Sequence, residues 1–300
     1  MPYQYLVHRN LSKKQVIERY EPFTFPSFLQ KSKVRNLQEP FFVIEVMQEQ
    51  ERVALAVLEL LHKESLLKIL SLLVREEHRK RGIATEILKV AEKIATNNQL
   101  AVLNIIFQNN WDSFKIMPKL LKKLHWNEPQ KRVILVKLSY NQVKDLSWLQ
   151  IRTYPQGFSV KPWKSLSQED YDYIRQRQAR EQWYPTMLSP FQMPDLVLDE
   201  GSLALFHEEE LVGWIIIHLT QHKTIQITSY FVDEAHRKTK ASIALVANAI
   251  EEVYSKGIAE QSLFMFEANN KNMISLAKKF AGEHNTGAFT EVWVGQKKVL

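Results

Sequence analysis

The chain has no cysteine. That excludes disulfides, thiolate metal sites, iron–sulfur clusters and a cysteine nucleophile. No His, Asp and Glu residues stand at metal-ligand spacing and no Ser/His/Asp arrangement stands out, so no metal is expected. Long apolar runs are absent too: stretches such as Val53–Leu58 and Trp214–Ile217 fall far short of the roughly 20 residues that span a bilayer, so membrane insertion is not expected. The opening Met1-Pro2-Tyr3-Gln4-Tyr5 lacks a basic segment followed by an apolar one, which points to a cytoplasmic location. Glycine is scarce: 8 in 300 residues, against a usual share of about 7%. Seven of the eight lie at Gly157 or later, so Gly82 stands alone in the first half and marks a backbone that needs it.

Hydrophobic residues make up 45% and charged residues 24%, the balance of a globular chain long enough for two cores. Forty Lys and Arg against 33 Asp and Glu give a net charge of +7, which favours an anionic partner. Nucleic acid is not expected, because basic and aromatic residues do not interleave regularly.

Gly82 sits where the hydrophobic period changes. Upstream, Leu66–Val74 is short, apolar and bounded by charge, the pattern of a buried strand. Downstream, Ile83, Ile87, Val90, Ala91 and Ile94 fall on one face of a helix. Elsewhere in this half, strands are predicted at Tyr3–His8, Ala101–Phe107 and Arg132–Leu138. A hairpin of Phe41–Met47 with Glu51–Leu61 is predicted to turn at Gln48–Gln50. Helices are predicted over Lys13–Tyr20, capped by Ser12, and within Trp111–Leu124 near Pro118.

The pattern then recurs. Val74-x-Glu76-x-His78-Arg79-Lys80 reappears as Val232-x-Glu234-x-His236-Arg237-Lys238, five identities in seven positions at an offset of 158. At that offset the strand Val53–Leu58 lands on Leu211–Ile216, after the acidic turn Glu208–Glu210, and the helix is matched by Ile243, Val246, Ala247, Ile250 and Val253. The fold class is therefore α/β with mixed sheets, in two tandem copies: 1–140, a linker at 141–155, and 156–300.

Arg79-Lys80-Arg81-Gly82-Ile83-Ala84 fits the pattern Arg/Gln-x-x-Gly-x-Gly/Ala. In such a loop, backbone N–H groups at a helix N-terminus point outward and bind a pyrophosphate. Placed between an apolar strand and this helix, it resembles the strand, loop and helix of the GNAT superfamily of acyl-CoA-dependent N-acyltransferases. The resemblance covers both halves and implies two GNAT-like domains, each a mostly antiparallel twisted sheet flanked by helices. It also implies acetyl-CoA or a longer acyl-CoA as acyl donor, with backbone groups of Leu72 and Val74 on pantetheine and Arg79–Ala84 on pyrophosphate. The segment Trp183-Tyr184-Pro185-x-x-Leu188-Ser189-Pro190-Phe191 is similar to two-repeat bacterial members, some of which acylate peptides. The acceptor so implied is an amine-bearing small molecule or peptide, in a groove walled by Trp183, Tyr184 and Phe191, whose other reading is ordinary packing.

Several positions depart from the family. In the second loop Lys240 and Ser242 replace the two small residues, which argues against a pyrophosphate site there. The usual tyrosine acid falls on Leu121 and Ala277, and the usual glutamate base on Lys68 and Gln226. Aminolysis still needs a base and a polarised carbonyl, the latter supplied by backbone N–H groups near Leu72 and Leu73 where the strand bulges. Glu59, the only charge within Val53–Leu61, is one candidate base and His62 in the following turn is another. His218 is either a core histidine or a site residue. A non-catalytic acyl-CoA- or peptide-binding protein is the alternative.

Overall fold

A computed structural model describes residues 2–24, 40–220, 223–282 and 286–299. In chain order its elements are β1 (Gln4–Leu11), α1 (Lys13–Tyr20), β2 (Phe41–Gln48), β3 (Glu51–Leu61), β4 (Leu66–Val74), α2 (Ile83–Asn97), β5 (Val102–Gln108), α3 (Met117–Lys123), β6 (Gln130–Ser139), α4 (Tyr140–Val143), β7 (Phe158–Pro162), α5 (Gln168–Glu181), β8 (Leu203–His207), β9 (Glu210–Leu219), β10 (Thr224–Val232), α6 (Lys240–Ser255), β11 (Gln261–Glu267), α7 (Lys271–Ala281) and β12 (Phe289–Lys298). They form two compact units, Met1–Arg132 with Glu291–Leu300, and Val133–Thr290.

Local chemistry accounts for the elements of the first unit. Ser12 caps α1 in a reciprocal box: its hydroxyl accepts from Gln15 N, and the Gln15 side chain accepts from Ser12 N. Glu49 and Gln50 both have positive φ, so β2 and β3 are joined by a two-residue turn of the hairpin type. Pro118 stands in the first turn of α3, where its missing N–H costs nothing. The sheet runs β1-β2-β3-β4-β5-β12, antiparallel except for β4 with β5. One face buries Ile83, Ile87, Leu88 and Ala91 of α2 against Ala54, Ala56 and Leu58. The other buries Val16 and Tyr20 of α1 against Leu55 and Val57. Each fully buried aliphatic side chain contributes about 1.5–3 kcal/mol.

The second unit repeats the plan in the order β6-β11-β10-β9-β8-β7, with only β10 and β11 parallel. Its hairpin turn, Glu208–Glu209, has the same two positive φ angles. Helix α6 covers one face and α5 the other. Both sheets are mixed and mostly antiparallel, the fold class anticipated from the repeat.

Two features differ from the sequence expectation. The last strand of each sheet comes from the other half of the chain: β5 is closed by β12, with Val102 opposite Lys298, and β11 is closed by β6, with Gln261 opposite Ser139. The expected division at 141–155 keeps Arg132–Leu138 with the first half instead. Strands β6 and β12 hold the same place in the repeat and either can satisfy the edge of a fifth strand, so the pattern carries no sign of the exchange. The register also shifts. Val53 and Val212 are the extra residues of equivalent bulges, so β3 and β9 match at an offset of 159, one more than the helices and loops.

Strand β12 is closely packed in its sheet. A Cβ on Gly295 would stand 2.6 Å from Leu121 Cδ1 and 3.2 Å from Ile105 Cγ2. Gly295→Val is therefore expected to destabilise the first unit by about 1–3 kcal/mol through overpacking. A lower midpoint in urea unfolding checks this; an unchanged midpoint would mean that β12 does not lie against α3.

Candidate active site

The site of the first unit begins at a break in β4. Val57 and Leu58 of β3 stand opposite Ser71 and Ile69, which leaves Leu70 as the extra residue of a bulge. Pairing of β4 with β5 covers only Leu66–Ile69 against Val102–Ile105. Beyond it, Leu72, Leu73 and Val74 lie on a strand edge without a β5 partner, and the backbone groups turned toward β5 are left for a ligand. A hollow of about 20 Å³ marks the split, touched by Leu70, Ser71, Leu72, Ile106, Trp111 and Ser113. Ser71 Oγ is buried there with no partner among the described residues. An unsatisfied buried hydroxyl costs about 1–3 kcal/mol, a cost that a bound carbonyl or amide would remove.

The strand leads directly into the basic loop. Arg79 Nε donates back to Val74 O at 3.2 Å, tying the loop to the strand end. Gly82 is the N-cap of α2 with φ +82°, and no side chain caps the helix. A Cβ on Gly82 would meet nothing within 4 Å, so the backbone there faces open space. The first-turn amides of Ile83, Ala84 and Thr85 have no intrahelical acceptor, and the helix dipole adds partial positive charge beside them. Arg79, Lys80 and Arg81 are exposed around them, and Arg81 Nη1 reaches Tyr3 Oη at 3.4 Å. Burial of Ile83 on the sheet fixes the helix end in place. Arg75, by contrast, pairs with Glu51 and stacks over Phe23, and so serves the fold.

The equivalent loop of the second unit is built differently. Thr239 is the N-cap of α6 in an extended conformation, and the helix begins at Lys240. Ser242 Oγ lies 3.0 Å from Arg237 O and 2.9 Å from Thr239 O, turning a hydroxyl into the loop where the first unit has Ala84. Ser229, the counterpart of Ser71, is satisfied: it accepts from Trp214 Nε1 at 2.7 Å and donates to Leu188 O at 2.5 Å.

Of the proton-transfer candidates, Glu59 is buried, 3% exposed, and stands directly opposite Lys68 on the face that carries α1. Lys68 is two residues from the bulge and still paired with Asn104 of β5, so Glu59 lies one strand away from the split. His62 sits in an exposed turn whose carbonyl accepts from Ser65 N, further along the hairpin. Leu121 and Ala277 are fully buried core residues. His218 stands opposite Gln226, as Glu59 stands opposite Lys68, so the two buried titratable groups hold equivalent positions. Burial pushes the His218 imidazole below its ordinary value, against a hydrogen bond from Nε2 to Met193 O at 3.3 Å.

Trp183, Tyr184 and Phe191 belong to the core under α5. Tyr184 is 5% exposed and packs edge-on against Trp214 and Phe231. Trp183 Nε1 and Arg177 Nη2 both donate to Asp233 Oδ2 at 2.8 Å. Sequence reasoning did not single out Ser71, although it is the only polar residue of Leu66–Val74 besides Lys68. Among the described residues no three His, Asp or Glu side chains are grouped to hold a metal, and no helix is long and apolar enough to cross a membrane.

A model of the acetyltransferase (GNAT) family matches residues 9–112 and 160–282. Comparison with curated proteins gave no match. Among solved structures, a tandem GNAT protein from the clavulanic acid biosynthesis pathway, without AcCoA, superposes with a TM-score of 0.68 at 12% identity, over 100% of this chain and 99% of that one. A GCN5-related N-acetyltransferase from Sphaerobacter thermophilus gives 0.64 at 15%, over 98% and 96%. A GCN5-related glucosamine N-acetyltransferase region of a fungal multi-domain GH3 beta-N-acetylglucosaminidase gives 0.63 at 10%, over 99% of this chain but 38% of that one. At these identities the likeness is one of fold.

Proposed function

This chain belongs to the acetyltransferase (GNAT) family, and from that premise we propose that it transfers an acetyl or longer acyl group from acyl-CoA to a primary amine on a small molecule or peptide. The cofactor site is assigned to the first unit. The observation that carries this assignment is the uncapped N-terminus of α2 behind Gly82, continuous with the unpaired edge of β4. Leu72, Leu73 and Val74 would hold the pantetheine arm, and Arg79, Lys80, Arg81, Gly82, Ile83 and Ala84 the pyrophosphate. The orphaned Ser71 hydroxyl and the open space at Gly82 fit that occupancy.

Acyl-CoA, when bound, supplies a thioester carbonyl. Backbone N–H groups on the unpaired edge near Leu72 and Leu73, just past the bulge that falls at Leu70 and not at these two residues, would stabilise negative charge developing on its oxygen. Glu59 would take the proton of the incoming amine, directly or through water. No side chain at Leu121 can protonate the departing thiolate, so that proton comes from water or from the amine itself. Tyr184 is buried in the core and Trp183 is partly buried against it, which supports packing for the aromatic stretch over an acceptor groove.

Coenzyme A titrated into the protein by calorimetry should bind at one equivalent per chain, and acetyl-CoA with primary amines should release free thiol. Two equal tight sites, or none, would contradict the assignment to the first unit. Tight binding without thiol release for any amine would favour the second reading, a non-catalytic acyl-CoA-binding protein, to which the absent tyrosine at Leu121 already points.

A further inference from the structure

The second unit contains a larger cavity than the hollow at the split of the first. Strands β10 and β11 pair only over Thr224–Ile227 and Gln261–Phe264, and beyond that split lies a cavity of about 220 Å³. Its walls are apolar, with Ile227, Phe264, Phe266, Ile250, Met273 and Phe280 among them. An apolar cavity of about 150 Å³ stays dry and admits benzene, so by simple proportion this one takes about nine heavy atoms.

Both ends of the cavity restrict what enters. Toward the loop, Tyr230 Oη donates to Ser242 O at 2.9 Å and closes the route along which a pyrophosphate-bearing arm would leave. Ser242 fills the loop behind it. The rim carries Met187 and Met265, 53% and 41% exposed, whose unbranched side chains adapt to varied apolar shapes. Glu267, also at the rim, disfavours an anionic group. One polar opportunity lies inside. Ile216 and Ile217 of β9 stand opposite Ser229 and Ile227, so Thr228 is a bulge residue whose backbone lies outside the ladder at the cavity wall.

We infer that the second unit binds a neutral, mostly apolar small molecule with a single hydrogen-bonding group, the body in the β10/β11 cavity and the polar group at the Thr228 bulge. This site is independent of the acyl-CoA reading of the first unit and does not take coenzyme A.

The probe is 1-octanol, titrated into the full chain by calorimetry with and without saturating coenzyme A. One equivalent should bind, with the same affinity in both conditions. Octanoate should bind at least about tenfold more weakly, because its charge would be desolvated beside Glu267. Leu276→Trp, which fills the cavity from α7, and Met187→Asp, which puts a charge on the exposed rim, should each abolish octanol binding and leave coenzyme A binding unchanged. Met187 is exposed, so its substitution keeps the test valid if the first variant does not fold. Absence of saturable octanol binding, displacement of octanol by coenzyme A, or undiminished binding by Met187→Asp would overturn the proposal.

Discussion

Gly82→Asp is expected to lower coenzyme A affinity by about 100-fold or more, equivalent to about 2.7 kcal/mol, with the fold intact. Two observations set this result. A Cβ at Gly82 meets no neighbour, so the substitution causes no clash. The φ of +82° costs a non-glycine residue some strain, but aspartate is among those that tolerate it best. At an N-cap an aspartate also accepts hydrogen bonds from the first-turn amides, which stabilises the helix. Those are the amides assigned to the pyrophosphate, so the carboxylate would both occupy the phosphate's place and repel it. Calorimetry gives the affinity and circular dichroism the fold. Binding as tight as in the parent would remove the phosphate from this loop.

For Glu59→Gln the expected loss is in turnover: kcat falls on the order of 10²–10⁴-fold, the usual contribution of a general base, while coenzyme A affinity is kept. Glutamine preserves size and hydrogen bonding opposite Lys68 but cannot accept the proton. An enzyme that stays fully active would transfer the role to His62, or to solvent acting on an amine that arrives neutral, and Glu59 would then be a structural partner within the sheet.

Much of the architecture was legible in the sequence because it rests on local patterns. The single early glycine, the change of period around it and the repeated Val-x-Glu-x-His-Arg-Lys segment led to the strand, loop and helix. The doubled hairpin turn at Glu49–Gln50 and Glu208–Glu209 follows the same repeat. What was not legible depends on partners far away in the chain. The exchange of β6 and β12 leaves no trace, since a strand's alternation does not say which neighbour it pairs with. The bulges at Leu70 and Thr228 likewise have no composition of their own.

The equivalence of Glu59 and His218 was hidden by one residue. Their strands match at 159, whereas the loops match at 158, because seven residues link His218 to Gln226 where eight link Glu59 to Lys68. Tyr184 could be read as a groove residue or as core from sequence alone. Its place against Trp214 and Phe231 follows from the way α5 covers the sheet, and α5 is too polar along its length for its inward face to be evident.

The central claim is that the first loop, and not the second, holds the cofactor's pyrophosphate. Backbone amide resonances of the labelled protein, followed by NMR during titration with coenzyme A, test it most directly. The account predicts that the signals of Gly82, Ile83 and Ala84 move and saturate together at one equivalent, while those of Lys240, Ala241 and Ser242 stay in place. Movement of the second set with the first unaffected, or saturable binding that moves neither, would contradict it.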